Sequence, residues 1–196
     1  MAKLYFKYGA MGSSKTAQAL ITKFNYEEKG MNVLLLKPAI DTRDGLTIVK
    51  SRIGLSSEAV VIKKEDNICC VALTNGIFRS SKDIVIIDEA QFLTREQVEQ
   101  LRILVDIHGI PVLCYGLRTD FQIKLFEGSK ALFELADSIS EIKSVCKCGN
   151  KASVNARINE KGKIIIDGNQ IEIGGNEKYE SMCYKCYNKI VGKVKK

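Results

Sequence analysis

The N-terminal segment constrains the fold more than any other part of this chain. A short apolar run, Leu4–Tyr8, breaks into the turn Gly9-Ala10-Met11-Gly12-Ser13-Ser14-Lys15-Thr16 and continues as a predicted helix. Strand, glycine-bearing turn, Lys-Thr and helix form a cradle for nucleotide phosphates, because the turn N–H groups and the positive helix end point at the anion. We therefore expect Lys15 to reach the β and γ phosphates and the Thr16 hydroxyl to ligate Mg²⁺.

This turn departs from the phosphate-loop pattern at one position. Ser14 stands where G-x-x-x-x-G-K-[ST] has glycine. Glycine gives the turn its freedom in φ, so serine there either adopts a tolerable backbone or narrows the loop. An ordinary strand-to-helix turn with a chance Lys-Thr is the alternative to a phosphate site.

A second apolar run supports the phosphate site. Residues 83–87 read Asp-Ile-Val-Ile-Ile and lead directly into two carboxylates, Asp88 and Glu89. Runs without alternation are typical of strands buried on both faces of a parallel sheet, where ligands bind beyond the carboxyl ends of the strands. An acid at that place holds the Mg²⁺ of a nucleotide, usually through water. Two solvated carboxylates at the start of a loop are the alternative, and the two signals together favour binding of a nucleoside triphosphate with Mg²⁺.

Composition limits the class of protein. A chain of 196 residues suits one domain with a small appendage, and 45% apolar residues supply an ordinary core. We find no apolar stretch long enough for a membrane span and no signal-peptide pattern, so we expect a cytoplasmic protein without a membrane partner. The net charge of +7 suits small anionic ligands as well as nucleic acid and decides nothing.

The seven cysteines fall into two groups. Cys69, Cys70 and Cys114 lie in apolar surroundings and are predicted to be buried thiols. Two late pairs form C-x-C and C-x₂-C patterns, which predict a structural zinc site with four thiolates: Cys146, Cys148, Cys183 and Cys186. Disulfides are the competing explanation, but an intracellular nucleotide-binding chain disfavours them.

Strand and helix patterns alternate along the first part of the chain. We predict helices over 16–29, 66–78, 94–107 and 129–136, strands over 32–37, 59–62, 83–87 and 110–115, and a long mobile loop over Pro38–Ser57. The fold class is therefore α/β, a P-loop NTPase-like parallel sheet with flanking helices. We place a nucleotide-binding domain at 1–138 and a small β-rich zinc-binding domain at 139–196, stabilised by the metal.

Several motifs together resemble one family, the tetrameric, zinc-containing (type II) thymidine kinases. They are the turn already described, D-T-R at Asp41–Arg43, S-R-I-G-L-S-S at Ser51–Ser57, D-E-A-Q-F at Asp88–Phe92 and G-L-R-T-D-F at Gly116–Phe121. The four late cysteines and I-G-G-x-x-x-Y at Ile173–Tyr179 agree with it. The resemblance covers nearly the whole chain.

The resemblance implies transfer of the ATP γ-phosphoryl group to the 5′-hydroxyl of thymidine, giving dTMP for DNA synthesis by pyrimidine salvage. It makes Glu89 the general base and Thr16 and Asp88 the Mg²⁺-binding residues. It also places Arg43 near the phosphates when the Pro38–Ser57 loop closes. Ala90 and Gln91 belong with residues 9–16 and 88–89 at the nucleotide site. The thymidine pocket, covered by a lasso-like loop, comprises Met11, Leu117, Phe121, Phe126, Ile171, Glu172, Ile173, Gly174 and Tyr179.

The same resemblance implies a homotetramer, feedback inhibition by dTTP and no nucleic-acid partner. Two other functions stay open on the residues alone. One is a nucleic-acid-stimulated zinc-containing ATPase, although no strand interleaves aromatic and basic residues to stack bases. The other is a nucleotide sensor in which Ser14 has weakened catalysis.

Overall fold

A six-stranded parallel sheet forms the centre of the protein. The computed structural model describes residues 1–78, 82–159, 163–168, 170 and 178–192. Its strands are β1 Leu4–Tyr8, β2 Asn32–Pro38, β5 Val60–Ile62, β6 Asp83–Ile87, β7 Val112–Gly116 and β8 Ser138–Glu141. They lie in the order β5-β2-β6-β7-β1-β8, with every neighbouring pair parallel. The helices are α1 Lys15–Glu27, α2 Ile68–Thr74, α3 Arg95–Asp106, α4 Glu127–Leu135 and α5 Tyr184–Ile190.

Both faces of the sheet are covered, which explains why its strands carry continuous apolar runs. Every residue of β6 is buried, and successive side chains of this strand point to opposite faces. Ile84 and Ile86 pack in a cluster with Leu20 of α1, whereas Val85 and Ile87 pack in a cluster with residues of α2, α3 and α4. The prediction of a parallel sheet with flanking helices is confirmed.

Local sequence signals set the helix ends. Thr94 and Gln97 form the predicted capping box at the start of α3, with both reciprocal hydrogen bonds made. The second helix is shorter than predicted because the Asn67 side chain caps it by accepting from the Cys70 N–H. Gly76, with φ of +86°, then turns the chain after Thr74.

The segment predicted as a long loop, Pro38–Ser57, instead contains most of an antiparallel hairpin. Its strands are β3 Ile48–Lys50 and β4 Ser56–Glu58. The hairpin is fastened to the domain because Val49 is buried in the α1-side core and Lys37 Nζ donates to the carbonyls of Gly45 (3.1 Å) and Ile48 (2.9 Å). The polar composition of the segment concealed these anchors.

Among the described residues after the sheet, the chain forms short strands and one helix. These strands are β9 Ser144–Val145, β10 Lys151–Ala152, β11 Val154–Ile158, β12 Ile164–Ile165 and β13 Tyr179–Met182. β11 is central, with β12 and β13 antiparallel on its two sides, and Val154, Ala156, Met182 and Tyr187 form a small core of their own. The central sheet continues to Glu141 through β8, and the division into two domains at 138 stays a prediction.

Two further expectations from the sequence concern the burial of three cysteines and the absence of a membrane span. Among the three cysteines predicted as buried thiols, only Cys114 is buried; Cys69 is partly exposed and Cys70 is exposed on the outer side of α2. Within the described part of the chain, every helix is too short or too polar to cross a bilayer.

Candidate active site

The loop between β1 and α1 has the geometry of a phosphate cradle. Lys15 Nζ is buried and donates to the Ala10 carbonyl at 2.8 Å and to Ser13 Oγ at 3.4 Å, so the lysine folds back over its own loop. A Cβ on Gly9 would come within 2.5 Å of the Ile142 carbonyl oxygen, which excludes any side chain there. Burial lowers the pKa of Lys15 to about 8, while Glu89 and Asp88 oppose that shift.

Ser14 occupies the backbone region that the missing glycine would prefer. Its φ is 62° and its ψ is 26°, the left-handed conformation, and its side chain makes no capping hydrogen bond to α1. The serine therefore adopts the glycine-type turn rather than a different loop path, at the cost of a Cβ in a crowded conformation.

Two oxygen ligands suitable for a hard cation meet beside this loop. Thr16 Oγ1 donates to Asp88 Oδ2 at 2.9 Å, joining the start of α1 to the end of β6. Burial and the neighbouring Glu89 carboxylate raise the pKa of Asp88 to about 7. A hydroxyl and a carboxylate at this spot fit the oxygen preference of Mg²⁺, which keeps most of its waters and takes few protein ligands.

Glu89 lies next in the chain and is held from two sides. One carboxylate oxygen accepts from the Arg43 guanidinium and the other accepts from Gln91 Nε2 at 2.5 Å. Burial pushes the pKa of Glu89 upward, but Arg43 and Lys15 outweigh it and hold the pKa below its usual value. Its φ of 52° is in the left-handed region, which is unfavourable for a residue other than glycine. The surrounding contacts therefore hold the backbone of Glu89 in a strained conformation.

A cleft of about 580 Å³ opens above the phosphate loop. Residues predicted for the nucleotide site that line it are Met11, Gly12, Ser14, Lys15, Thr16, Arg43, Asp88 and Glu89, whereas Gly9, Ala10, Ser13, Ala90 and Gln91 lie outside that lining. Two further cations in the lining, Lys50 and Arg52, were given no role by sequence reasoning. Arg52 lies at the turn of the β3–β4 hairpin, and its Nη1 is 3.4 Å from the position a Cβ on Gly12 would take.

A second, smaller cavity of about 50 Å³ adjoins the first. It brings together five residues predicted for substrate binding: Met11, Leu117, Phe121, Phe126 and Tyr179. Met11, Arg43, Glu89 and Leu117 line both cavities, so the glutamate stands where the two meet. The remaining predicted contacts, Ile171, Glu172, Ile173 and Gly174, lie outside the described residues.

One side chain of β11, Asn155, lines this cavity, and a second, Arg157, contacts two of its aromatic residues; sequence reasoning missed both. Asn155 is buried; its Oδ1 accepts from the Met11 N–H at 2.8 Å and its Nδ2 donates to the Thr119 carbonyl at 2.9 Å. The guanidinium carbon of Arg157 lies 3.8 Å from the Phe121 ring centroid, and its Nη2 donates to the Tyr179 hydroxyl at 2.9 Å. No local pattern indicated these contacts, since they span up to 144 residues of chain.

The four late cysteines converge as the zinc prediction requires. Their sulfur atoms all lie within 4.8 Å of one another, with Cys148 and Cys183 sulfurs 3.6 Å apart, and all seven cysteines of the chain are free thiols. Zinc–sulfur bonds of about 2.3 Å in a tetrahedron place the sulfurs about 3.8 Å apart, so the cluster is compatible with a structural zinc ion. The backbone N–H of Asn150 and its side-chain amide, which is 3.3 Å from the Cys148 sulfur, lower the pKa of that thiol and favour the thiolate.

Comparisons with known proteins agree with this geometry. The family model described as thymidine kinase matches residues 2–187. Thymidine kinase of Mannheimia succiniciproducens is 46% identical over 194 residues, covering 99% of both chains. Thymidine kinase of Pasteurella multocida is 48% identical over 97% of this chain and 99% of its own, and that of Rhodopirellula baltica is 49% identical over 93% and 86%. The chain belongs to the thymidine kinase family.

Proposed function

We propose that the protein transfers the γ-phosphoryl group of ATP to the 5′-hydroxyl of thymidine and releases dTMP and ADP. The observation that carries this proposal is the position of Glu89, which lines both the phosphate-loop cleft and the aromatic-walled cavity. A base placed between a triphosphate site and a pocket for a flat ring is within reach of a sugar hydroxyl that bridges them.

Glu89 is the proposed general base. Its pKa is held low by Arg43 and Lys15, so the carboxylate is ionised at neutral pH and able to accept the hydroxyl proton. That proton moves to Glu89 as the 5′-oxygen attacks the γ-phosphorus and the bond from phosphorus to ADP breaks. Gln91 fixes the carboxylate by donating to it, while its own Oε1 accepts from the Leu117 N–H at 2.9 Å.

Cationic groups in the lining of the larger cleft would neutralise the charge of the triphosphate. Lys15 leaves the Ala10 carbonyl to reach the phosphates, and the negative ligand restores its full positive charge by raising its pKa again. Thr16 and Asp88 would hold Mg²⁺, which supplies charge neutralisation across the phosphates. Arg43 and Arg52 also line this cleft, and movement of their segment onto the ligand would exclude water.

The C-terminal cysteine cluster has a structural role in this proposal. A closed set of four thiolates leaves no open coordination position for chemistry, so zinc would fix β11 and β13 against the cavity through Asn155, Arg157 and Tyr179. We further propose thymidine coverage by residues 171–174, a homotetramer, inhibition by dTTP and a cytoplasmic location, all from membership of the family.

A phosphoryl-transfer assay with ATP, Mg²⁺ and a panel of nucleosides tests the reaction. Product formed with thymidine identifies the acceptor. Phosphate release at the same rate with every nucleoside would instead indicate an ATPase rather than a kinase. Glu89→Gln keeps the shape of the side chain and removes the base, so kcat should fall by about 10²–10⁴ while ATP binding persists.

The matched control is Glu65→Gln, at an exposed carboxylate outside both cavities. This control should keep wild-type kcat. Near-normal turnover by Glu89→Gln would remove Glu89 from the role of base and leave the nucleotide and nucleoside sites to be judged separately.

A further inference from the structure

One described residue in the lining of the smaller cavity, Thr119, carries a buried polar atom without a partner. Thr119 Oγ1 is a buried side-chain atom that makes no hydrogen bond anywhere in the described part of the chain, and the whole residue is 5% exposed. Thr119 lines the aromatic-walled cavity and also a third cavity of about 10 Å³ beside Gly9 and Ala10, and it is absent from the lining of the phosphate cleft. A hydroxyl taken out of water without a partner lowers stability, so such atoms are rare in native proteins and point to a missing ligand.

The neighbouring polar side chains of the same cavity are already engaged. Glu89 and Gln91 bond each other, and Arg43 bonds Glu89. Asp120 accepts from the N–H groups of residues 122 and 124 and from Gln170, and Asn155 bonds two backbone groups. Among these side chains, only the Thr119 hydroxyl has no hydrogen-bond partner within the described residues.

The backbone around Thr119 holds the hydroxyl in place. Its carbonyl accepts from Asn155 Nδ2 at 2.9 Å, and Thr119 forms an isolated antiparallel bridge with Leu125. The next residue donates its N–H to the Lys124 carbonyl at 2.9 Å. Exposing the hydroxyl by a shift of the loop would therefore break these backbone contacts.

We propose that the Thr119 hydroxyl forms a hydrogen bond with the polar edge of the pyrimidine ring and thereby contributes to nucleoside selection. The inference rests on the proposed function, which places the base between Phe121, Phe126 and Tyr179. Those rings supply apolar surface for the faces of the base, and a carbonyl or N–H on its edge meets the hydroxyl. Binding then satisfies a buried group that the empty protein leaves unpaired.

Thr119→Val tests the proposal because valine keeps the shape and removes the hydroxyl. The thymidine dissociation constant, measured by calorimetry on the full chain, should rise about tenfold, or about 1.4 kcal/mol. The ATP dissociation constant should stay within about twofold. The melting temperature of the unliganded protein should be unchanged or higher, since the variant removes an unsatisfied buried group. Thr119→Ser keeps the hydroxyl and should bind thymidine with wild-type affinity within about threefold.

Ser129→Ala is the matched control for loss of a hydroxyl that has a partner. Ser129 lies in α4, and its Oγ donates to the Leu117 carbonyl at 2.6 Å. Removal of this hydroxyl should therefore lower the melting temperature. Unchanged thymidine affinity in Thr119→Val would overturn the inference and assign the hydroxyl to a buried water. A lower melting temperature of unliganded Thr119→Val, or equal losses of affinity in the valine and serine variants, would also overturn it.

Binding and turnover separate this inference from the proposed reaction. Wild-type protein that binds thymidine with the expected valine effect but forms no dTMP would refute the reaction and keep the Thr119 contact. If the wild type phosphorylates thymidine but Thr119→Val binds thymidine as tightly as the wild type, the reaction stands and the Thr119 contact is refuted. Absence of thymidine binding to the wild type would overturn both.

Discussion

Ser14→Gly should stabilise the protein, although it changes an exposed residue in the phosphate loop. Ser14 has a left-handed backbone with φ of 62°, where a Cβ costs about 1–2 kcal/mol relative to the right-handed conformation. Its side chain makes no capping hydrogen bond, so removing the hydroxyl loses no contact at the start of α1.

The expected gain is smaller than the full relief of the backbone. Glycine also gives the unfolded chain more freedom, which costs about 0.5–1 kcal/mol. The difference is a net stabilisation of about 0.5–1 kcal/mol. For a chain of 196 residues this corresponds to a rise in melting temperature of about 1–4 °C.

Scanning calorimetry at one fixed protein concentration measures this gain, because any self-association would make the melting temperature depend on concentration. Ser14→Ala is the matched control: alanine keeps the Cβ, so its melting temperature should stay within about 1 °C of wild type. The ATP dissociation constant of Ser14→Gly should stay within about twofold, because the loop already follows the glycine-type path. An unchanged or lower melting temperature for Ser14→Gly would refute the argument from backbone strain.

Two further predictions concern the metals. Cys183→Ser should abolish stoichiometric zinc, measured by atomic absorption, and weaken thymidine binding more than ATP binding. The control Cys70→Ser, at an exposed cysteine outside the cluster, should leave zinc content and thymidine binding unchanged. A Cys183→Ser protein that still carries stoichiometric zinc would contradict the assignment of the cluster. Burial and Glu89 raise the pKa of Asp88 to about 7, so a proton competes with Mg²⁺ below that pH. Calorimetry should show Mg²⁺ affinity falling roughly tenfold per pH unit below about 7 in wild type and much less in Asp88→Asn; a pH-independent wild-type affinity would contradict this reading.

Local sequence signals predicted the parts of the fold that local physics controls. The buried run before Asp88 became a central strand because helices cover both of its faces, and the Thr94–Gln97 capping box starts α3 where predicted. The β3–β4 hairpin was missed because its anchors, Val49 and the buried Lys37 amine, act between segments.

The site shows the same division between local and distant causes. Lys15, Thr16, Asp88 and Glu89 could be named from spacing alone, because each follows a strand end at the ligand edge of a parallel sheet. Asn155 and the unpaired hydroxyl of Thr119 carried no such signal. Their meaning arises from contacts and burial that exist only in the folded chain.

Neighbouring residues along the chain set the alternation of strands and helices, the phosphate turn and the spacing of the four late cysteines, so the amino-acid sequence alone indicates them. The satisfaction of each buried polar side chain, and the lack of a partner for Thr119 Oγ1 within the described residues, emerge only from the folded chain. This is because a hydrogen bond depends on distance and direction in space, and residues far apart in the chain supply both partners.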